Sequence, residues 1–477
     1  MGIFEKAYEL LLKVISAVYG LLWGDLITIP LPGGDQLGIS LLVLLLIPAG
    51  IFFTIRTRAL PVRMLPEMLR ISVEKKAGQE KKEKGTVSGL QTLIVATATR
   101  VGMGNLVGVV AAISVGGAGA VFWMWVTALI GASTAFVEAT LAQLHKEKDP
   151  LYGGFRGGPA YYIQQLFSKG KKRKNIIAVL FALSGLLCWC GVSQVISNSV
   201  TSAFYNAFSV PPIISTIVLV ALAAVIVLRK HATVKVLDIM VPIMAALYFF
   251  IAIFVIVKNF SLLPAMFTRI FEEAFGLRQV VAGGFGAALM NGVQRGLFSN
   301  EAGSGSAPCA AAAADVDHPA KAGLFQAFGV LIDTIVICSC TAFIMLLAPE
   351  ELLSGLSGMA LLQTAMYHHF GQIGVVFIAI TLWLFCFSTF IGILYYARSN
   401  VSFLFGDKWR PQTIYKVIAL AMLFIGGLAA YTFVWDIGDI GVGLMTVFNM
   451  MCILPFSGTA IRSLKDYEKK RKMEKKG

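Results

Sequence analysis

Arg100, Gly102, Gly104 and Asn105 fall within six consecutive residues, in the stretch TATRVGMGNLVGV at 97–109. That stretch lies inside a long apolar run, where each of these residue types weakens a membrane helix. Glycine removes the side chain and permits dihedrals that a helix does not use. Close packing of small residues is the plainer reason for glycine in a membrane helix, but it leaves Arg100 and Asn105 unexplained. Unwinding accounts for more. A broken helix frees backbone N–H and C=O groups at membrane depth, which persist only where they line a cavity or bind something. The N-terminus of a half-helix then offers N–H groups and a positive dipole end to an anion such as a carboxylate, while freed carbonyls can hold a cation. A second candidate break is QVVAGGFGAALMNGVQRGL at 279–297, where Gly283, Gly284 and Gly286 crowd a short apolar segment. Asp333, in VLIDTIVIC, is an acid within an apolar run and a functional candidate by its burial cost alone. Other chemistries find no support. The seven cysteines form no CxxC pair and the five histidines are scattered, so no zinc site or disulfide framework is expected. No G-x-x-x-x-G-K-[ST] loop is present, which argues against ATP-driven transport.

The elements that must position these residues are membrane helices. The chain is 57% hydrophobic and 14% charged, with mean hydropathy +0.77. This predicts an all-α polytopic membrane protein. Eleven spans are expected, near 37–55, 88–114, 119–143, 175–204, 211–228, 236–257, 279–297, 323–348, 371–397, 413–434 and 437–460. Residues 1–28 read as an amphipathic surface helix without a cleavable signal, with Phe4, Leu11, Val14 and Ile15 set against Glu5, Glu9 and Lys13.

The net charge of +14 could suggest nucleic acid, but its distribution does not. Of the lysines and arginines, 34 fall in alternate loops, Arg295 and Lys321 among them, five fall in the other set, and Arg100 remains. This asymmetry places the C-terminus and the 56–84 loop in the cytoplasm and the N-terminus outside a cell membrane. By that topology the first break enters from the cytoplasm and the second from outside, each followed by four more spans. Five plus five spans in opposite orientation, each half opened by a broken helix, is the pattern of secondary transporters with a midplane site. The expected organisation is an N-terminal region at 1–87 that adds one span, inverted repeats at 88–260 and 261–460, and a basic cytoplasmic tail at 461–477.

The segments RVGMGNLVGV, YGGFRGGPAYYI and above all RGLFSNEAGSGSAP with its alanine-rich continuation resemble the alanine/glycine:cation symporter family over roughly residues 35–460. That resemblance implies a leucine-transporter-type fold with one extra N-terminal span. It also implies no cofactor, sodium or a proton as co-substrate, and uptake of small neutral amino acids. The substrate carboxylate would meet backbone amides at Met103 and Gly104, with Asn105 nearby and Gln194 in contact; the family more often has a small hydroxyl residue where Met103 stands. Gly283 and Gly284 would offer carbonyls to the ammonium. Phe285, Leu289 and Trp383 would form the apolar wall. Sodium would sit among Ala98, Val101, Phe385, Ser388 and Thr389. The residues also allow plainer roles: helix glue for Gln194, core packing for the wall, and bonds to their own helix backbone for Ser388 and Thr389.

Arg100 is left with two readings. It substitutes for sodium in a sodium-independent exchanger, or it pairs with an acid such as Asp333 or Glu138 and spares the ion site. The GGPAYYI segment reads as a turn with Tyr161 and Tyr162 at the membrane interface, and Asn300 and Glu301 as caps of a following helix. The working unit is expected to be a monomer in the lipid bilayer. A pore and a membrane enzyme are the competing classes, and glutamine or serine the competing cargoes.

Overall fold

The computed structural model of the protein describes residues 3–30, 36–73, 87–88, 100–168, 173–229, 234–277 and 284–474. Among them, five helices are long and apolar enough to cross a membrane: Gly119–Leu144, Ile176–Phe208, Pro319–Leu346, Gln372–Phe405 and Phe433–Glu474. A bent pair, Pro242–Lys258 with Phe260–Ala274, turns through 76° and forms a sixth candidate. Shorter apolar helices at Leu41–Arg56, Gly104–Gly116 and Pro212–Val227 fall where the sequence predicts further spans.

The chain begins with the helix α1 (Ile3–Trp23) and a small hairpin, β1 (Ile27–Pro30) with β2 (Gln36–Ile39). Ser40 caps α2 (Leu41–Arg56) by accepting from the Val43 N–H. Two short helices follow, α3 (Leu60–Arg63) and α4 (Leu65–Val73). A two-residue strand at Val87–Ser88 pairs with Ala314–Asp315. The first interrupted segment ends in a π-helical turn at Gly104–Gly108 and α5 (Val109–Gly116).

Next come α6 (Gly119–Leu144), α7 (Pro159–Ser168), α8 (Ile176–Phe208), α9 (Pro212–Val227), α10 (Val234–Lys258) and α11 (Leu263–Ala274). The second interrupted segment consists of α12 (Gly284–Asn300) and the single turn α13 (Pro308–Ala311). It leads into α14 (Pro319–Leu331), a π-helical turn (Ile332–Cys338) and α15 (Ser339–Leu346). Two non-spanning helices, α16 (Glu350–Leu353) and α17 (Met359–Phe370), precede α18 (Gln372–Phe405), α19 (Trp409–Gly426) and α20 (Tyr431–Glu474).

Local chemistry sets these boundaries. Asn175 caps α8 through its side chain, and Ser209 ends that helix in the left-handed region. His318 caps α14, with Pro319 in the first turn. Glycine lets α8 and α20 approach at backbone distance: a Cβ on Gly191 would collide with Gly438, and one on Gly441 with Cys188. Ile213, Ile217 and Val225 on α9, and Ile414, Val417 and Ile425 on α19, are exposed. An outward apolar face of this kind suits lipid.

Local expectations fail at GGPAYYI and at Arg295. GGPAYYI is the start of a helix rather than a turn, and Tyr161 and Tyr162 are buried instead of interfacial. Gly158, at φ 117°, makes the bend that allows this. The basic tail is part of α20, and Arg471 and Tyr467 bind Glu67 of α4. Arg295 is not a loop residue: it lies in α12, 8% exposed, 3.0 Å from Asp439 and over the ring of Trp435.

Candidate functional site

The first break is open where the opening motif expects it. Arg100 is helical, Val101 and Gly102 form a turn, and Met103 leads into the π-helical turn. Asn105 organises this backbone. Its Oδ1 accepts from the Gly102 N–H at 2.8 Å, and its Nδ2 donates to Asp333 Oδ1 at 2.7 Å. Ser299 and Thr334 donate to the other Asp333 oxygen at 2.8 and 2.9 Å. Thr341 donates to the Asn105 carbonyl at 2.7 Å. Asn105 thus holds the break open from within the protein, and its amide is fully engaged there.

The opposite side of the break rests on α18. A Cβ on Gly102 would collide with Thr389 Oγ1, so only glycine lets the backbone settle there. The Met103 N–H donates to Thr389 Oγ1 at 3.2 Å. Ser388 and Thr389 both donate their hydroxyl hydrogens to the Phe385 carbonyl, at 2.8 and 3.0 Å. A hydroxyl that donates to its own helix still has oxygen lone pairs that can accept, and on Thr389 one of them takes the Met103 N–H. Phe385, Ser388 and Thr389 therefore meet the backbone at Gly102 and Met103, next in the chain to Val101, and all are buried. Ala98 lies outside the described residues. No group of three or more His, Cys, Asp or Glu side chains that could hold a metal ion occurs among the described residues, so an ion here would rest on carbonyls and hydroxyls.

Within the described residues, the second segment is interrupted beyond the Gly284–Gly286 cluster. Gly284 opens α12 at φ 68°, and the helix runs unbroken through Gly286 to Asn300. The interruption comes at Glu301–Ser306, within the SNEAGSGS segment. There Glu301, Gly303 and Gly305 take φ of 57°, 99° and 82°, and Asn300 caps only the local turn, through the Ala302 N–H. The signal was present in the alternating Gly and Ser ahead of Pro308, the strongest turn composition in this region.

The expected site residues on and near this segment lie as follows. Gly284 stands at the far end of α12 from Glu301 and offers no carbonyl to the same site; Gly283 lies outside the described residues. Phe285 packs toward Gly276 and Trp123, and Leu289 clusters with Leu37, Val43 and Val293. Neither lines the cavity that Arg100 faces. Trp383 stacks on Phe387 at 5.5 Å, on another face of α18 from Thr389. Gln194 faces α19: its Nε2 is 3.2 Å from Met422 Sδ, and Gly426 lies against its backbone. The face of α8 that turns inward carries Cys188, Trp189 and Val192 instead.

Those three residues line a small cavity of about 30 Å³ between the two breaks. Arg100, Met103 and Gly104 close it on the first segment, Phe298, Glu301 and Ser306 on the second, and Thr389 on α18. Trp189, Phe298, Glu301 and Ser306 were not singled out as site residues from the sequence. Only Glu301 carried a signal, as an acid flanked by apolar spans.

Arg100 is 2% exposed. Its nearest acid is neither Asp333 nor Glu138. Asp333 is taken up by Asn105, Ser299 and Thr334, and Glu138 accepts from Asn449 and from the Gly303 N–H. Arg100 Nη1 donates to the Gln326 carbonyl at 3.3 Å, and Nε stands 3.9 Å from Glu301 Oε2. Tyr396 donates to the same Glu301 oxygen at 3.4 Å.

Residues 34–477 match the model of the sodium:alanine symporter family. The chain is 42% identical to the probable sodium/glutamine symporter GlnT of Bacillus subtilis, over 92% of this chain and 90% of that protein. It is 43% identical to the amino-acid carrier protein AlsT of the same organism, over 90% and 89%. In three dimensions it is similar to MhsT, solved in complex with L-phenylalanine, with a TM-score of 0.55, 15% identity, and coverage of 78% of this chain and 89% of that one. This likeness shows a shared fold.

Proposed function

The chain belongs to the sodium:alanine symporter family, and from that premise we propose that it couples sodium entry to the uptake of small neutral amino acids such as alanine and glycine. One observation carries the reading. At Gly102 the unwound backbone of the first break sits directly on Thr389, beside Ser388 and the Phe385 carbonyl. A set of hydroxyl and carbonyl oxygens at a helix break suits a hard monovalent cation that must bind weakly enough to leave. The cavity begins on the same residues, so ion and amino acid would share Met103 and Thr389 as common walls. Binding of one orders the backbone that the other needs, which is the physical content of coupling.

The proposed architecture is eleven spans, with inverted five-span repeats at 88–260 and 261–460 and one added N-terminal span. The N-terminus lies outside and the C-terminus in the cytoplasm of the cell membrane. The order of elements supports the repeat: each half runs from an interrupted segment through a long helix, one or two short non-spanning helices, a second long helix and two further helices. Cavity and proposed ion site lie within one chain, so a monomer suffices. The 42% identity to a probable sodium/glutamine symporter favours glutamine as a second candidate cargo.

Purified protein in proteoliposomes tests this directly. An inward sodium gradient should drive accumulation of radiolabelled alanine or glycine, competed by unlabelled serine and glutamine in proportion to fit. Uptake indifferent to replacement of sodium by potassium or choline at constant pH would overturn sodium coupling. It would leave a proton-coupled carrier or an exchanger in which Arg100 serves as the resident cation.

A further inference from the structure

The unwound first segment is the expected source of N–H groups for a substrate carboxylate, yet two of its amides are already engaged. The Gly102 N–H is held by Asn105 and the Met103 N–H by Thr389. What faces the cavity with donors to spare is Arg100. Its Nε and Nη2 are buried and have no hydrogen-bond partner among the described residues, while Nη1 is fixed by the Gln326 carbonyl. Nε–H and the neighbouring Nη2–H lie on one edge of the guanidinium, the edge that grips a carboxylate side-on through two parallel bonds. A buried guanidinium with that edge empty is costly. An acceptor that arrives with the substrate removes the cost.

Glu301 completes the arrangement. Its left-handed backbone, φ 57°, breaks the second segment and sets the carboxylate on the cavity wall. At 3.9 Å the Arg100–Glu301 pair is close enough to balance charge but too long for a hydrogen bond.

We propose that Arg100 and Glu301 form the zwitterion slot of this transporter, Arg100 taking the α-carboxylate and Glu301 the α-ammonium of the amino acid. This rests on the amino-acid symport reading and specifies its recognition chemistry. The pair is net neutral, and so is a neutral amino acid, so binding adds no unbalanced charge at membrane depth. An anion or a cation of the same size would leave one partner of the pair uncompensated. The slot therefore selects neutral α-amino acids by charge, whatever the apolar wall then selects by shape.

Calorimetric titration of the purified, sodium-equilibrated protein tests the slot, with L-alanine, L-glutamine and the single-charge probe propionate. Arg100→Met should weaken both amino acids by about 10- to 100-fold, and Arg100→Lys should restore part of that loss. Glu301→Gln should weaken alanine while improving propionate relative to it, because the repelling carboxylate is gone. A helix-packing role for either residue would not move that ratio.

A parent that binds alanine or glutamine, with Arg100→Met binding equally well, would overturn the slot. Should Arg100→Met fail to fold, an unchanged alanine-to-propionate ratio in Glu301→Gln overturns it instead. A parent that binds neither amino acid would overturn the symport reading itself.

Discussion

Two buried polar clusters flank the cavity, and they are built on opposite principles. In the cluster of Asn105, Ser299 and Asp333, both carboxylate oxygens and both ends of the asparagine amide have partners. In the cluster of Arg100, Glu301 and Gln326, Arg100 Nε and Nη2 and both side-chain polar atoms of Gln326 have none among the described residues. A satisfied buried network fixes one geometry and makes departure from it expensive. An unsatisfied one stores the same cost in the resting protein and releases it when a ligand supplies the missing atoms. The first cluster holds the break open, and the second is shaped to receive what enters.

The comparison breaks most directly at Asp333. Asp333→Ala would orphan the buried donors of Asn105, Ser299 and Thr334, at about 1–3 kcal/mol for each that stays unpaired. We expect a large fall in melting temperature in detergent, even without substrate. Removing the charges of the other cluster together, as Arg100→Met/Glu301→Gln, should leave the melting temperature of the unliganded protein level or higher. Equal melting of Asp333→Ala and the parent would end the distinction.

A smaller effect is expected at Thr389, where the satisfied side meets the proposed ion. Thr389→Val keeps the shape but removes the acceptor of the Met103 N–H, at roughly 1–3 kcal/mol for a buried unpaired donor. The sodium concentration for half-maximal uptake should rise by about tenfold or more, with the substrate panel in the same order. An unchanged sodium requirement would place the ion elsewhere.

The smallest effect lies outside the membrane, and it asks whether a satisfied cluster there also matters. Burial alone would push the Glu67 carboxyl up. Hydrogen bonds from Arg471, Tyr467 and Arg70 outweigh it and hold the group at about 2, below its ordinary value near 4.5. A depressed carboxyl contributes stability that is fully present above its unfolded value and is lost as pH falls through about 2. Glu67→Gln should therefore loosen the end of α20 by an amount that is constant from about pH 5 to pH 8, within roughly 1 kcal/mol given solvent screening. Hydrogen exchange across 460–474 reads this; protection equal to the parent's would make the contact incidental.

Much of the helix layout was legible in the sequence because apolar length reports burial in lipid directly. The span expected at 119–143 is the helix Gly119–Leu144, and that at 371–397 lies within Gln372–Phe405. The first break was legible because Arg100 and Asn105 are too costly to leave in a continuous helix. The interruption at Glu301–Ser306 was not placed, because glycine density alone does not separate a helix start from a helix interruption. Gly283, Gly284 and Gly286 crowd the beginning of α12, whereas Glu301 takes the strained conformation.

Composition, charge asymmetry and the position of buried charges thus determined, with no fold in hand, that this chain is a polytopic membrane protein with an unwound segment at Arg100–Asn105. Each of those inferences concerns the cost of moving one residue type from water to lipid, and that cost is a property of the residue itself. Which acid stands beside Arg100 was decided only in three dimensions. Asp333, Glu138 and Glu301 are equivalent as letters, and only packing gives Asp333 to Asn105, Glu138 to Asn449 and Glu301 to the cavity. The same holds for Gln194 and Trp383. A helix turns by about 100° per residue, so the face that meets the cavity is set by how α8 and α18 rotate against their neighbours. No residue carries that rotation alone.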